Sequence, residues 1–322
     1  MLRIVCTGDS HTWGQGAKGA VECLGKKVVA GELRPVVFET ESYVNRLRRS
    51  VEALTGSHSV SLRRGSLAEA FGGEICGDSM TLDGNGKKFV FDGELVRLFF
   101  EAREIKTSVG VVIDGALNEI SLDAYDGDRP HRLYYFHCPA GSHTLSLVPG
   151  ENAPALYCAE FYGGPCAVVN AGVGSTSTNK YLDGYFDSYV RAARPDVILA
   201  EAHTVNDWLT GVGPEQYAAD LRRLLAACRS LCSKVALLTV VPVGGKQIWT
   251  DPGSSFSSLA DASRKVALED GLPLADANIR LASLGLPELK AEWLDDNWHP
   301  NERGHALYAD ELFAMLVNHK WI

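Results

Sequence analysis

The chain has 322 residues, 46% of them hydrophobic and 22% charged, and a formal net charge of −9. That balance belongs to a globular protein of one large domain or two modest ones. No concentrated basic surface is written in it, which argues against nucleic acid as a partner, and no run of eighteen apolar residues is present to span a membrane as a helix.

The first strand begins almost at the amino terminus with no leader-like region ahead of it, which reads as a cytoplasmic chain. Eight cysteines without a Cys-x-x-Cys pair read as buried free thiols, with no structural zinc. Leu2-Arg3-Ile4-Val5-Cys6 reads as a buried strand. It breaks at Gly8-Asp9-Ser10 and is followed by Gly14 and Gly16, a sharp turn able to hold a hydroxyl at the carboxyl edge of a sheet. A loop-like stretch runs on to Pro35. Apolar residues at 43, 44, 47, 51 and 54 predict a helix over 42–54, ended by Gly56.

From 57 to 165 the pattern changes to short strands, at 89–91, 95–102, 108–113, 132–136 and 142–148. Turn clusters separate them, including Asp83-Gly84-Asn85-Gly86, Asp92-Gly93, Asp114-Gly115, Asp126-Gly127-Asp128 and Pro149-Gly150. This spacing predicts a β-sandwich without a helix of useful length. Within it Gly77-Asp78-Ser79 repeats the earlier tripeptide, but among short strands and glycine turns, so Ser79 reads as structural.

From 166 strands alternate with helices. Strands are predicted at 166–170, 197–200, 234–241 and 272–274, and helices at 178–193, 214–232, 257–269 and 302–317. Pro214 suits a first helical turn. Strands alternating with helices imply a parallel sheet covered on both faces. Residues 1–56 share that texture. The chain therefore reads as one discontinuous α/β domain, 1–56 and 166–322, interrupted by a β-sandwich at 57–165.

Four loops carry chemistry-bearing residues: Gly8-Asp9-Ser10, Asn170-Ala171-Gly172, Val205-Asn206-Asp207 and Asp295-Asp296-Asn297-Trp298-His299-Pro300. Acyl transfer needs a nucleophile, a base, a group that orients the base, and donors for the oxyanion. Ser10 supplies the hydroxyl, His299 the base, and Asp296 a carboxylate three residues before it. The backbone amides of Ser10 and Gly172 and the side-chain amide of Asn206 are candidate oxyanion donors. Glycine at 172 suits a backbone that a substrate must approach. A competing arrangement, a metal held by His203, His305, Asp207 and His299, has no zinc-like spacing behind it. No metal or cofactor is expected.

Together the four blocks resemble the SGNH hydrolases, also called GDSL esterases. The resemblance covers the α/β part and implies a three-layer, flavodoxin-like hydrolase. It implies a Ser10 nucleophile, an Asp296–His299 pair, and oxyanion donors at Ser10, Gly172 and Asn206. Two positions depart from the pattern: His11 stands in place of the leucine of the GDSL name, and Thr204 where the third block has glycine. The implied activity is hydrolysis of O-acetyl or other short-chain esters. The inserted sandwich resembles accessory modules of SGNH carbohydrate esterases, which makes an oligosaccharide ester the expected substrate. Trp13, Trp208 and Trp298 flank the blocks and are candidate platforms for a sugar ring. Lipid or lysophospholipid esters, and a carbohydrate-binding protein with a silent hydrolase domain, are the alternatives.

Overall fold

The computed structural model describes residues 1–19, 40–76, 79–82, 87–101, 104–123, 131–241, 256–285, 290–296 and 298–322. Outside them lie much of the loop running to Pro35, the Gly77-Asp78 part of the repeated tripeptide, the Asp83-Gly84-Asn85-Gly86 and Asp126-Gly127-Asp128 turns, and Asn297. The chain forms two compact units. One comprises Leu2–Thr55 and Val168–Ile322, the other Met1 with Gly56–Ala167.

The larger unit holds a five-stranded sheet. Its strands are β1 (Leu2–Gly8), β2 (Cys166–Gly172), β3 (Val197–Glu201), β4 (Lys234–Leu238) and β5 (Leu274–Ala275), in the spatial order β2-β1-β3-β4-β5. The pairs β1/β3, β3/β4 and β4/β5 are parallel. This is the order of flavodoxin-like sheets, in which the crevice beyond the ends of β1 and β3 collects ligands. Every residue of β3 is buried, as expected of a central parallel strand.

The helices start and stop for local reasons. Tyr43–Thr55 buries Tyr43, Val44, Leu47 and Val51 on one face, and Gly56 follows at φ +73°. Pro214–Arg229 opens with proline in its first turn. The segment predicted as one helix over 178–193 is three short pieces: Thr178–Gly184, Phe186–Tyr189 and a 3₁₀ turn at Arg191–Ala193. Gly184 and the non-helical Tyr185, at φ −127°, make the break. Glu302–Asn318 is capped by Asn301, whose side chain accepts the amides of Arg303 and Gly304. Among the described residues no helix is long and apolar enough to cross a membrane.

The smaller unit contains two antiparallel sheets. One orders Phe89–Asp92, Ser142–Pro149, Thr107–Ile113 and Ala116–Leu122. The other centres on Ala155–Gly163, paired with Leu95–Glu101 on one side and with His58–Leu62 and Ser79–Thr81 on the other. Leu98, Phe100 and Phe161 of the second sheet share one apolar cluster with Val109, Val111, Leu145 and Leu147 of the first. Several features differ from the sequence reading, among them the strands His58–Leu62 and Ala155–Gly163, which it did not name. A helix, Gly65–Phe71, stands where none was expected, because seven residues are too few to display a period. The strand Ala116–Leu122 escaped notice because it is mostly exposed and lacks apolar alternation.

Gly172, at the end of β2, lies against the turn that carries Ser10. A Cβ there would sit 2.2 Å from the Trp13 amide nitrogen and 2.6 Å from the Thr12 carbonyl carbon. The space that a side chain would fill at 172 is therefore taken by the chain's own backbone. We expect Gly172→Ala to destabilise the larger unit by about 1–3 kcal/mol, the usual cost of overpacking. Denaturant midpoints against the parent check this, and an unchanged midpoint would refute the close-approach argument.

Candidate active site

Ser10 opens a four-residue helix, Ser10–Trp13, immediately after β1. Asp9 is its N-cap, and its Oδ1 accepts the His11 amide at 2.9 Å. Gly14 closes it at φ +111°, where a side chain would be strained. The Ser10 amide is the first of this helix, one of the N–H groups that a helix leaves without an internal carbonyl.

The loop before the last helix turns back on itself. Leu294 and Pro300 form an isolated bridge, and the Asp295 amide donates to the His299 carbonyl. Asp296 Oδ1 accepts the amides of Trp298 and His299 at 2.7 and 2.8 Å. Its Oδ2 faces His299 Nδ1 at 2.7 Å. His299 Nε2 in turn lies 2.9 Å from Ser10 Oγ, across 289 residues of sequence. Ser10 is 4% exposed and His299 8%, so the pair is largely shielded from bulk solvent. Burial would raise the Asp296 pKa, but the His299 ring and two backbone amides hold it down at about 2. An ionised Asp296 fixes a proton on Nδ1 and leaves Nε2 free to accept one from serine.

The oxyanion candidates are placed unequally. Asn206 Nδ2 donates to Asp9 Oδ2 at 2.5 Å, which orients the amide and leaves its second hydrogen for another acceptor. The Gly172 amide donates to Asn170 Oδ1 at 2.9 Å and is committed within its own loop. Of the three tryptophans, Trp13 is 1% exposed and is a core residue, because the short helix carrying it is buried throughout. Trp208 is also buried, against Phe256 and Trp298. Only Trp298 remains partly exposed.

The residues of the competing metal arrangement have separate partners. His203 Nδ1 donates to the Thr176 carbonyl, and Asp207 accepts the amide and hydroxyl of Thr178. His305 lies between the Tyr43 amide and the Gln15 carbonyl. Asp9, His11 and Glu201 do bring ligand-type atoms within 4.8 Å of one another. Those of Asp9 and His11 are already joined by a hydrogen bond of 2.9 Å, as an ion pair and not an open ligand set.

Glu201 was not singled out from sequence, yet it holds the Ser10 turn from below. Its Oε2 accepts the Asp9 amide at 2.9 Å and the Thr12 hydroxyl at 2.8 Å. Gly8 makes room: a Cβ there would stand 2.2 Å from Glu201 Oε2. A glutamate ending the buried run Val197-Ile198-Leu199-Ala200 was the available signal. Burial, and then the charge of Asp9, push its pKa up to about 7. His11 is fully buried, which would lower its pKa, but Asp9 and then Glu201 raise it to about 9. Asp9 is driven well below the usual carboxylate range by the His11 charge, against the opposing effect of burial.

A family model for GDSL-like lipases and acylhydrolases matches residues 146–307, half of the chain. The chain belongs to that family. The matched span includes Gly172, Asn206, Asp296 and His299, while Ser10 lies upstream of it. Among solved structures, a peptidoglycan O-acetylesterase is similar at 15% identity and a TM-score of 0.52, over 99% of this chain and 91% of that one. A catalytic variant of an acetylxylan esterase from Geobacillus stearothermophilus is similar at 19% identity and a TM-score of 0.40, over 47% of this chain and 72% of that one. A comparison with curated proteins finds no match.

The buried charges set an expected stability profile. His11 has its folded pKa raised to about 9, above the ordinary 6.5, so its contribution is complete below 6.5 and is lost as pH rises through 9. Glu201, raised from 4.5 to about 7, likewise favours the fold most at low pH and loses that contribution as pH rises through 7. Asp296 works in the opposite sense, and its contribution is lost as pH falls from 3.8 through 2. We expect the urea midpoint to decline from pH 6.5 to pH 9.5. A flat midpoint across that window would contradict the assigned charge states.

Proposed function

We propose that this chain is a serine esterase that removes O-acetyl or similarly short acyl groups from a saccharide through an acyl-enzyme. The observation that carries the reading is the unbroken chain from Ser10 Oγ to His299 Nε2 at 2.9 Å and from His299 Nδ1 to Asp296 Oδ2 at 2.7 Å. In this mechanism Ser10 Oγ bonds to the ester carbonyl carbon as His299 takes its proton. The tetrahedral oxygen is held by the Ser10 amide and the free hydrogen of Asn206. Collapse breaks the carbon–oxygen bond to the sugar, whose hydroxyl leaves with the proton from His299. Water then repeats the sequence on the acyl-serine and releases the acid. Gly172 joins the oxyanion donors by exchanging its Asn170 bond for the substrate oxygen.

The saccharide part of the proposal takes its lead from the peptidoglycan O-acetylesterase that shares this fold. Trp298 is the aromatic face still available to a sugar ring. We assign the fold as a three-layer flavodoxin-like hydrolase with an inserted β-sandwich, spanning about 57–165, that contributes to sugar selection.

Acetate release from acetylated oligosaccharides, set beside p-nitrophenyl acetate and a long-chain p-nitrophenyl ester, tests the reading. We expect short acyl groups to be preferred, with the acetylated sugar the better substrate. A preference for the long chain would replace the saccharide with a lipid. Ser10→Ala should lower turnover on every ester by about 10³-fold or more, as for other triad serines. Ser79→Ala should leave it near the parent, since Ser79 donates to Glu101. Equal losses from both changes would sink the assignment of the nucleophile.

Asn206→Ala should lower kcat by about 10²-fold, the usual loss for one oxyanion donor. KM should change little, because the bond strengthens only as charge develops on the oxygen. A variant altered chiefly in KM would make Asn206 a ground-state contact.

A further inference from the structure

His11 occupies the position that gives the GDSL name its leucine, and it is fully buried beside the nucleophile. Both its ring nitrogens face acceptors. Nδ1 lies 2.9 Å from Asp9 Oδ1, and Nε2 lies 2.8 Å from the carbonyl oxygen of Trp298. A peptide carbonyl accepts only. Asp9 is also confined to accepting, because Oδ1 takes the His11 amide and Oδ2 takes Asn206 Nδ2. Each nitrogen of the ring must then carry a hydrogen, and the ring is a cation.

We propose, on the esterase reading above, that the His11 imidazolium is a positioning residue that ties the oxyanion donor Asn206 to the loop carrying the base His299. The connection is continuous. Asn206 donates to Asp9, Asp9 accepts from His11, and His11 donates to Trp298, the residue before His299. The Trp298 amide is held in turn by Asp296, the partner of the base. A neutral ring at position 11 has one N–H and must release either Asp9 or Trp298. Releasing Trp298 frees the base loop, and releasing Asp9 loosens the support of Asn206. Displacements of about 1 Å in such groups cost up to about 10²-fold in rate.

Several charged or titratable groups surround His11. Asp9 adjoins it, and Glu201 Oε1, on β3, lies 4.0 Å from Nδ1. The His299 ring is 5.4 Å away, centre to centre, and His305 on the last helix, whose pKa burial lowers to about 3, stands near the same cluster as a neutral ring. The two carboxylates dominate, in keeping with a raised His11 pKa.

The first test needs no activity. Nitrogen-15 spectra of histidine-labelled protein, with His11 assigned by loss of its signals in His11→Leu or His11→Gln, should show two protonated ring nitrogens from pH 6 to pH 8. A neutral tautomer at pH 7 would overturn the proposal. The second test is kinetic. Per titrated active site, His11→Leu should lower kcat on p-nitrophenyl acetate by about tenfold or more with KM within about twofold. The parent's loss of kcat above about pH 9 should vanish in the variant. A purely structural role would lower the folded fraction and leave kcat per site and the alkaline limb unchanged, and that result would also overturn it. If Ser10→Ala keeps its activity, the esterase reading fails, and the spectra still decide the charge on His11. If Ser10→Ala is inactive but His11→Leu turns over normally, the positioning role alone fails.

Discussion

One buried carboxylate organises the site. Glu201 ends the central strand β3 and turns its oxygen up under the neighbouring strand's exit, where the amide of Asp9 and the hydroxyl of Thr12 donate to it. The Thr12 hydroxyl also meets the Tyr43 hydroxyl at 2.7 Å, so the hold extends to the first long helix. A four-residue helix has little stability of its own. Here its first turn is bonded to the sheet instead, and Ser10 inherits the rigidity of a central strand. The absence of a side chain at Gly8 is the condition for this, since the carboxylate occupies the space that a Cβ would take.

Placing Asp9, His11 and Glu201 together in a site closed to water carries an electrostatic cost, and the arrangement of protons offsets it. Three ionisable groups with one net negative charge, or none when Glu201 is protonated, are far less unfavourable than isolated charges in the same volume. The positive ring is shared between two carboxylates, and the pair Asp9–His11 is fully hydrogen-bonded at both ends. Asp296 differs: it is partly exposed and needs only the His299 ring and two backbone amides to stay ionised. The two carboxylate–histidine pairs therefore have different tasks. On the proposed mechanism the buried one fixes geometry, and the partly exposed one serves a histidine that must gain and lose a proton.

Much of this was legible in the sequence because the relevant signals are local. Gly-Asp-Ser after an apolar run, Asn206 after another, and Asp296 three residues before His299 are all short-range patterns, and the parallel strands read as continuous apolar runs. The features that escaped depend on what lies across the fold. Nothing near Glu201 in sequence says that its carboxylate bonds residues 9 and 12. Nothing near Gly172 in sequence says that the space of its missing side chain is filled by Thr12 and Trp13. Trp13 looked like a sugar platform, but the turn that presents Ser10 buries the rest of its short helix. The edge strand Ala116–Leu122 and the helix Gly65–Phe71 were missed because one is too exposed and the other too short for periodicity to show.

The strand order explains how the site is assembled from opposite ends of the chain. Ser10 follows β1 and Asn206 follows β3, which are hydrogen-bonded neighbours although nearly 200 residues separate them. The crevice between their ends is where a sheet of order 2-1-3-4-5 exposes ligand-facing backbone. Everything the chemistry needs from β1 is complete within residues 8–16, before the chain leaves the sheet. Beyond the helix Tyr43–Thr55, whose Tyr43 hydroxyl meets Thr12, the connection from β1 to β2 need only return β2 beside β1, so that Gly172 meets the Ser10 turn. The same logic accounts for the span of the family match. It begins within the smaller unit and takes in β2 and β3, while Ser10 stands apart in sequence and adjacent in space.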